Sequence, residues 1–123
     1  DAWNANPTAM KAGLEVLKNV GGSRPKIAVL GNMLELGIYT KAAHEHVGRY
    51  AASIELDQLI TLGKYGRLIA QAAVASGMDK RKVFSYSEYS QVVNHLVRLP
   101  KNAIIYFKAS RNLHLEKIVK QLK

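Results

Sequence analysis

The sequence predicts an α/β fold: a three-layer, Rossmann-like domain with an open, mainly parallel sheet and helices on both faces. Short, continuous apolar runs rich in β-branched residues are typical of strands buried on both faces, and these runs alternate with segments of helical periodicity. The length of 123 residues is that of one domain, and neither a repeat nor an internal linker interrupts it. We therefore predict a single domain over residues 1–123.

The first helix is predicted from the opening stretch "DAWNANP". Pro7 suits the first helical position because the N–H that it lacks has no partner there, and Asn6 precedes it as the N-cap. Three apolar residues then recur at the spacing of one buried helical face: Met10, Leu14 and Leu17. A helix N-terminus favours anions, so the approach from Asp1 to Asn6 is a candidate site for a phosphate or a carboxylate. An ordinary helix cap is the alternative interpretation.

The remaining elements follow from the same signals. Strands are predicted at four apolar runs: Lys26 to Gly31, Gln58 to Gly63, Val83 to Tyr86 and Asn102 to Lys108. Further helices are predicted over Lys41 to about Ser53, Arg67 to Ala75, Glu88 to Leu99 and Asn112 to Leu122. Thr40 is expected to cap the second helix, and Pro100 follows the end of the fourth.

In an open sheet of this type, ligands bind beyond the carboxyl ends of the strands. Three segments lie there: Gly31 to Gly37, Gly63 to Gly66, and Lys108 to Asn112. The first of them, "GNMLELG", contains Glu35, an acid that can bind an ammonium group or orient a neighbouring base. A tight turn closed by the apolar residues Met33, Leu34 and Leu36 is the alternative, and the pattern alone leaves both open.

The segment "FKASRN" places Lys108, Ser110 and Arg111 where a strand passes into a helix. Two cations, a hydroxyl and helix N–H groups at one place suit a carboxylate or a phosphate. The alternative is a solvated charge cluster in which Ser110 is only a cap. His44 on its helix and Trp3 beside a helix N-terminus are further candidates, although packing is the commoner role of such residues.

Composition limits the class of protein. The net charge is +9, from 18 Lys and Arg against 9 acids, which favours acidic partners, with a solvated basic surface as the alternative. The chain has no cysteine, which excludes disulfides and thiolate chemistry and is compatible with the cytoplasm. The histidines form no zinc pattern, so no metal site is predicted. Neither a dinucleotide-binding glycine fingerprint nor a P-loop is present, so a triphosphate must be held mainly elsewhere.

Four motifs together resemble one family. An acid followed by "NANP", then "GNMLELG", then "H-x-x-VG-x-YA" from His44 to Ala51, then "K-x-SR" before "LEKIV" occur in this order. Nearly the whole chain is thereby similar to the C-terminal domain of the Mur ligases. The resemblance implies a three-domain enzyme whose N-terminal and central ATP-binding domains are absent from this chain. The start on Asp1 rather than on methionine agrees with the expectation that the chain is an excised domain.

The resemblance also implies an activity: ATP-dependent addition of D-alanyl-D-alanine to UDP-N-acetylmuramoyl-tripeptide through an acyl phosphate, in cytoplasmic peptidoglycan precursor synthesis. ATP and Mg²⁺ would be bound mainly by the central domain, so this domain alone should not turn over. By similarity, the nucleotide side is assigned to Asp1, Asn4 and Asn6. The substrate side is assigned to Asn32, Glu35, Lys108, Ser110 and Arg111, with Trp3 and His44 as further candidates. Lysine and diaminopimelate both stay open as the third residue of the tripeptide.

A basic α/β module that binds nucleic acid is the rival hypothesis. Lys and Arg on one face would contact phosphates, and Tyr65, Tyr86 or Tyr89 would stack on bases. The tyrosines are scattered and no known nucleic-acid motif is present, so the ligase domain is the preferred prediction.

Overall fold

The computed structural model describes residues 6–108, and in them strands and helices alternate along the chain. The strands are β1 (Lys26–Gly31), β2 (Gln58–Leu62), β3 (Val83–Tyr86) and β4 (Ile104–Lys108). The helices are α1 (Pro7–Val20), α2 (Thr40–Ser53), α3 (Gly66–Ala75) and α4 (Tyr89–Leu96), with short 3₁₀ turns at Gly37–Tyr39 and Lys80–Lys82. All strand pairs are parallel, in the order β3-β2-β1-β4. The predicted fold class is confirmed, and the predicted helix from Asn112 to Leu122 lies outside the described residues.

The central strand β1 separates two apolar layers. Its side chains alternate between the two faces, as in any strand. Ala28 and Leu30 pack with the helices α1, α2 and α3, whereas Ile27 and Val29 pack with α4 on the opposite face. Burial on both faces explains why the strand appears in the sequence as one continuous apolar run.

Helix α1 brings its amino end to the carboxyl edge of the sheet. Asn6 is its N-cap, as predicted, and the side-chain Oδ1 accepts from the Ala9 N–H at 2.8 Å. The predicted apolar face of this helix is buried. Near the end of β4, the Tyr106 hydroxyl donates to the Ala9 carbonyl at 3.3 Å, whereas Gly21 at the other end of α1 lies against Lys26 at the start of β1. The helix therefore runs antiparallel to the strands.

Two predictions about helix ends were wrong, and the helices α2, α3 and α4 begin one residue away from their predicted starts. Thr40 does not cap α2: Tyr39 occupies the N-cap position, and the Thr40 hydroxyl donates to the Gly37 carbonyl at 2.7 Å inside the preceding 3₁₀ turn. Helix α4 ends at Leu96 instead of Leu99. The N–H groups of Arg98 and Leu99 bond three positions back instead of four, to the carbonyls of His95 and Leu96. Pro100 disfavours helical geometry in the residue that precedes it, which ends the helix here.

Gly48 sets the closest approach between α2 and α3, and this contact leads to a prediction about stability. A Cβ atom at Gly48 would overlap the Ile69 carbonyl oxygen and lie 2.8 Å from the Ala72 Cβ. We expect Gly48→Ala to lower the free energy of unfolding by about 2 kcal/mol, as overpacking of a core does, in spite of the better helix propensity of alanine. Urea unfolding measures this change. Arg49→Ala, at the exposed neighbouring position, should change it by less than about 0.5 kcal/mol, and equal effects would contradict the packing argument.

Candidate functional site

The described parts of the predicted ligand-binding segments, Gly31 to Gly37, Gly63 to Gly66 and Lys108, lie at one edge of the sheet. Because the strands are parallel, their carboxyl ends share that edge, where Leu30 pairs with Lys108 and Gly31 pairs with Leu62. The chain leaves β1 toward β2 on one side, whereas β4 lies on the other side of β1. A reversal of this kind, here between β1 and β4, marks the usual ligand-binding position in open α/β sheets.

Asn32 links two of the loops at this edge. Its Oδ1 atom accepts from the N–H groups of Tyr65 at 2.8 Å and Gly66 at 3.0 Å. Asn32 thereby caps the amino end of α3 from a distant loop, a role that the sequence analysis did not foresee. Gly63 permits the approach, because a Cβ atom there would lie 2.6 Å from Oδ1. The Oδ1 atom is thus used to join the two loops.

This cap gives a second prediction about stability. Asn32→Ala removes the acceptor of two backbone N–H groups, and we expect it to lower the free energy of unfolding by about 1–2 kcal/mol. Asn32→Asp keeps the acceptor and adds a negative charge at a helix N-terminus, so it should match or exceed the wild type. Chemical denaturation of the three proteins gives the comparison. Equal losses in both variants would show that the Oδ1 contacts do not stabilise α3.

Glu35 is an exposed acid in a strained part of the same loop. Its φ of 64° is in the left-handed region, which costs a residue other than glycine about 1 kcal/mol or more. Met33 is fully buried, and Leu34 and Leu36 are half-buried, so apolar residues anchor the loop on both sides of the acid. The structure therefore combines the two interpretations of "GNMLELG": a turn fixed by apolar side chains, with the Glu35 carboxylate presented at the carboxyl edge.

His44 is bonded to both ends of this loop. The ring is fully buried; Nε2 accepts from the Met33 N–H at 2.8 Å, and Nδ1 lies 2.6 Å from the Thr40 carbonyl oxygen. A carbonyl can only accept, so Nδ1 carries the proton and the imidazole is neutral. Burial lowers the pKa of His44 from its ordinary value, more than the bond to the Thr40 carbonyl raises it. His44 is a positioning residue that joins the two ends of the loop.

Lys108 ends β4 at the same edge and is only 8% exposed. Asn6, at the amino end of α1, lies on this side of the domain as well. The structure thus gathers five predicted site residues around one sheet edge: Asn6, Asn32, Glu35, His44 and Lys108. The other predicted site residues, Asp1, Trp3, Asn4, Ser110 and Arg111, lie outside the described residues.

Two basic residues near this edge were not predicted as site residues. Lys64 and Arg67 follow the end of β2, in and just after the predicted segment from Gly63 to Gly66. The signal was available, since "GKYGR" places two basic residues directly after a buried strand.

Within residues 6–108, no three histidine or carboxylate side chains come together in a way that could hold a metal ion. The same part of the chain contains no glycine-rich cradle for a triphosphate. None of the helices in the described range has the length and apolar character needed to span a membrane.

The fold and the loop arrangement define the chain as an α/β domain with a parallel sheet, whose loops after β1 and β2 meet at the carboxyl edge. Residues 1–111 match the family described as Mur ligase, glutamate ligase domain. The chain belongs to the Mur ligase family.

Similar proteins share the domain at moderate identity. The UDP-N-acetylmuramoyl-tripeptide–D-alanyl-D-alanine ligase of Bacillus subtilis is 37% identical over 99% of this chain, and the Escherichia coli enzyme of the same name is 30% identical over 99%. A crystal structure of MurF from Acinetobacter baumannii superposes with a TM-score of 0.82 at 27% identity, covering 99% of this chain and 27% of that one. The Thermotoga maritima MurF, solved with ADP, gives a TM-score of 0.75 at 25% identity, covering 99% and 26%. The chain spans only 27% and 26% of the length of the two curated ligases.

Proposed function

We propose that this chain is the substrate-presenting C-terminal domain of an ATP-dependent ligase that adds D-alanyl-D-alanine to UDP-N-acetylmuramoyl-tripeptide. One observation carries the proposal: Asn32, Glu35 and Lys108 occupy a single sheet edge. The domain that contains them is similar to ligases named UDP-N-acetylmuramoyl-tripeptide–D-alanyl-D-alanine ligase. The activity would serve peptidoglycan precursor synthesis. ATP and UDP-linked intermediates are cytoplasmic metabolites, so we place the enzyme in the cytoplasm.

The work would be divided between domains. ATP and Mg²⁺ would be held mainly by a central domain, because the described residues offer neither a phosphate cradle nor a cluster of metal ligands. Bound there, Mg²⁺ would neutralise charge on the phosphates. Asn6, with Asp1 and Asn4, would contact the nucleotide from this side of the cleft. The isolated domain should not turn over, since catalysis requires the two substrates to be aligned.

The reaction would proceed in two displacements. A tripeptide carboxylate oxygen attacks the γ-phosphorus of ATP, the bond to ADP breaks, and an acyl phosphate forms. The amine of D-alanyl-D-alanine then attacks the acyl carbon, loses its proton, and displaces phosphate. In this domain, Lys108, with Ser110 and Arg111, would bind the dipeptide carboxylate, while Glu35 would hold the ammonium end or orient the group that takes its proton.

Phosphate release by the full-length ligase tests this proposal. ATP and UDP-N-acetylmuramoyl-tripeptide are supplied with D-alanyl-D-alanine, with D-glutamate, with L-alanine, or with no acceptor. Of these four conditions, we expect sustained phosphate release only in the one that contains D-alanyl-D-alanine. Equal release with all additions would contradict the assignment, and assays with the lysine- and diaminopimelate-containing tripeptides would identify the third residue.

The nucleic-acid hypothesis finds less support in the geometry. Tyr65, Tyr86 and Tyr89 are each half-buried, so their rings are not open platforms for stacked bases. Tyr65 lies beside the His44 ring, and the Tyr86 hydroxyl lies 2.7 Å from the His95 Nδ1 atom. An affinity for RNA or DNA that falls steeply with added salt would revive this hypothesis.

A further inference from the structure

A second group of cations lies next to the proposed substrate loops, beyond the carboxyl ends of β2 and β3. Lys64 and Arg67 border an open cavity of about 320 Å³. The rest of its lining is glycine, hydroxyl and amide residues: Gly63, Ser85, Tyr86, Ser87 and Gln91. No carboxylate of the described residues lines the cavity. The nearby Glu88 is the N-cap residue of α4; its backbone carbonyl accepts from the Gln91 N–H at 3.1 Å, and its N–H donates to the Gln91 Oε1 atom at 3.0 Å.

The positive charge of this cavity comes from its side chains. The N–H groups of Tyr65 and Gly66 at the start of α3 are already bonded to Asn32. The Lys64 ammonium lies 5.5 Å from the centre of the Tyr65 ring, and the exposed Arg67 guanidinium has no hydrogen bond or ion pair within residues 6–108. Lys64 therefore projects from a segment whose backbone is bonded to Asn32.

The Ser85 hydroxyl completes the donor set. The Ser85 hydroxyl accepts from the Thr61 hydroxyl at 2.9 Å, which leaves its own O–H able to donate. Ser87 and Tyr86 also line the cavity, but their hydroxyls are bonded to the Gln91 Oε1 atom and to the His95 Nδ1 atom. An ammonium, a guanidinium and one neutral O–H donor around a space without acids suit an oxyanion, because charge-assisted hydrogen bonds are stronger than neutral ones.

We propose that the cavity at Lys64 and Arg67 is an oxyanion subsite that binds a carboxylate or phosphate group of a ligase substrate. The inference rests on the proposed function and adds a second anion contact to the one assigned to Lys108. The oxyanion comes either from the dipeptide carboxylate or from a phosphate of ATP or of the UDP moiety. Both sources present the same kind of oxyanion. They differ in which substrate would bind more weakly when the site is removed.

Steady-state kinetics of the full-length ligase separates the sources. Lys64→Ala, Arg67→Ala and the double variant are compared with Lys80→Ala, an exposed lysine in the turn before β3, at the opposite edge of the sheet. KM is measured for D-alanyl-D-alanine, for ATP and for the UDP-linked tripeptide. Isothermal titration of each substrate gives Kd without turnover. We expect a rise of about tenfold per lost cation in KM and Kd for one of these substrates, the loss of one charge-assisted hydrogen bond, with kcat nearly unchanged.

Each outcome decides the proposal. A selective rise for the dipeptide assigns its carboxylate to the cavity, and a rise for ATP or the UDP-linked tripeptide assigns a phosphate. Unchanged constants in an active double variant, or the same change in Lys80→Ala, would overturn the subsite and leave the proposed function intact. A wild-type ligase that releases phosphate regardless of dipeptide would overturn the proposed function, and the titrations would still show whether the cavity binds an anion.

Discussion

Replacement of Lys108 by methionine should reduce dipeptide-dependent phosphate release in the full-length ligase by about a hundredfold or more. Loss of one preorganised charged donor from an active site has effects of this order. Methionine removes the ammonium and retains an unbranched apolar side chain, which matters because Lys108 is only 8% exposed. The expected cause is therefore loss of charge at the substrate, with the packing of β4 preserved.

The control for this prediction is Lys101→Met, an exposed lysine before β4. It should retain wild-type activity, and both variants should unfold at nearly the wild-type temperature. Wild-type kcat and KM in a folded Lys108→Met protein would remove Lys108 from the proposed substrate site.

Replacement of His44 by alanine should be the most destabilising single change at the site. It creates a cavity and leaves the Met33 N–H and the Thr40 carbonyl without their partner, so we expect a loss of about 3 kcal/mol in the free energy of unfolding. His44→Gln keeps a side-chain acceptor and should lose less. In the full-length ligase the alanine variant should also raise KM for the dipeptide, because Glu35 lies on the loop that His44 holds.

A pH titration separates this role from simple packing. Burial lowers the pKa of His44, so the unfolded chain takes up a proton at a higher pH than the folded protein. The contribution of neutral His44 to the free energy of unfolding is therefore fully present above the ordinary histidine pKa of 6.5, and it is lost as the pH falls below that value. Burial and Arg98 lower the pKa of His95 as well, so part of the slope should remain in His44→Gln. An identical slope in wild type and His44→Gln would contradict a neutral, buried His44.

The sequence predicted the strands well because each is a short apolar run buried on both faces. β1 and β3 have the predicted bounds, and β2 ends one residue early, before Gly63 adopts a φ of 97°. β4 begins at Ile104 instead of Asn102, because Ala103 still closes a turn on the Pro100 carbonyl. Such boundaries depend on turns whose hydrogen bonds the apolar pattern does not encode.

The site was predicted less completely for a physical reason. Its expected location followed from parallel topology, and Glu35 and Lys108 were predicted because one follows a strand and the other ends one. The roles of Asn32 and His44 depend on hydrogen bonds across 33 and 11 positions in the sequence, which no local pattern reveals. The cavity at Lys64 and Arg67 likewise forms between residues that follow β2 and residues of β3, which come together only because the two strands pair in the sheet.

The mass of the product tests the central claim most directly. The full-length ligase is incubated with ATP, Mg²⁺, UDP-N-acetylmuramoyl-tripeptide and D-alanyl-D-alanine, and the UDP-linked material is weighed by mass spectrometry. We predict a new species heavier than the tripeptide by one D-alanyl-D-alanine less one water, formed only when ATP is present. An unchanged tripeptide in a folded enzyme that still hydrolyses ATP would contradict the ligase assignment.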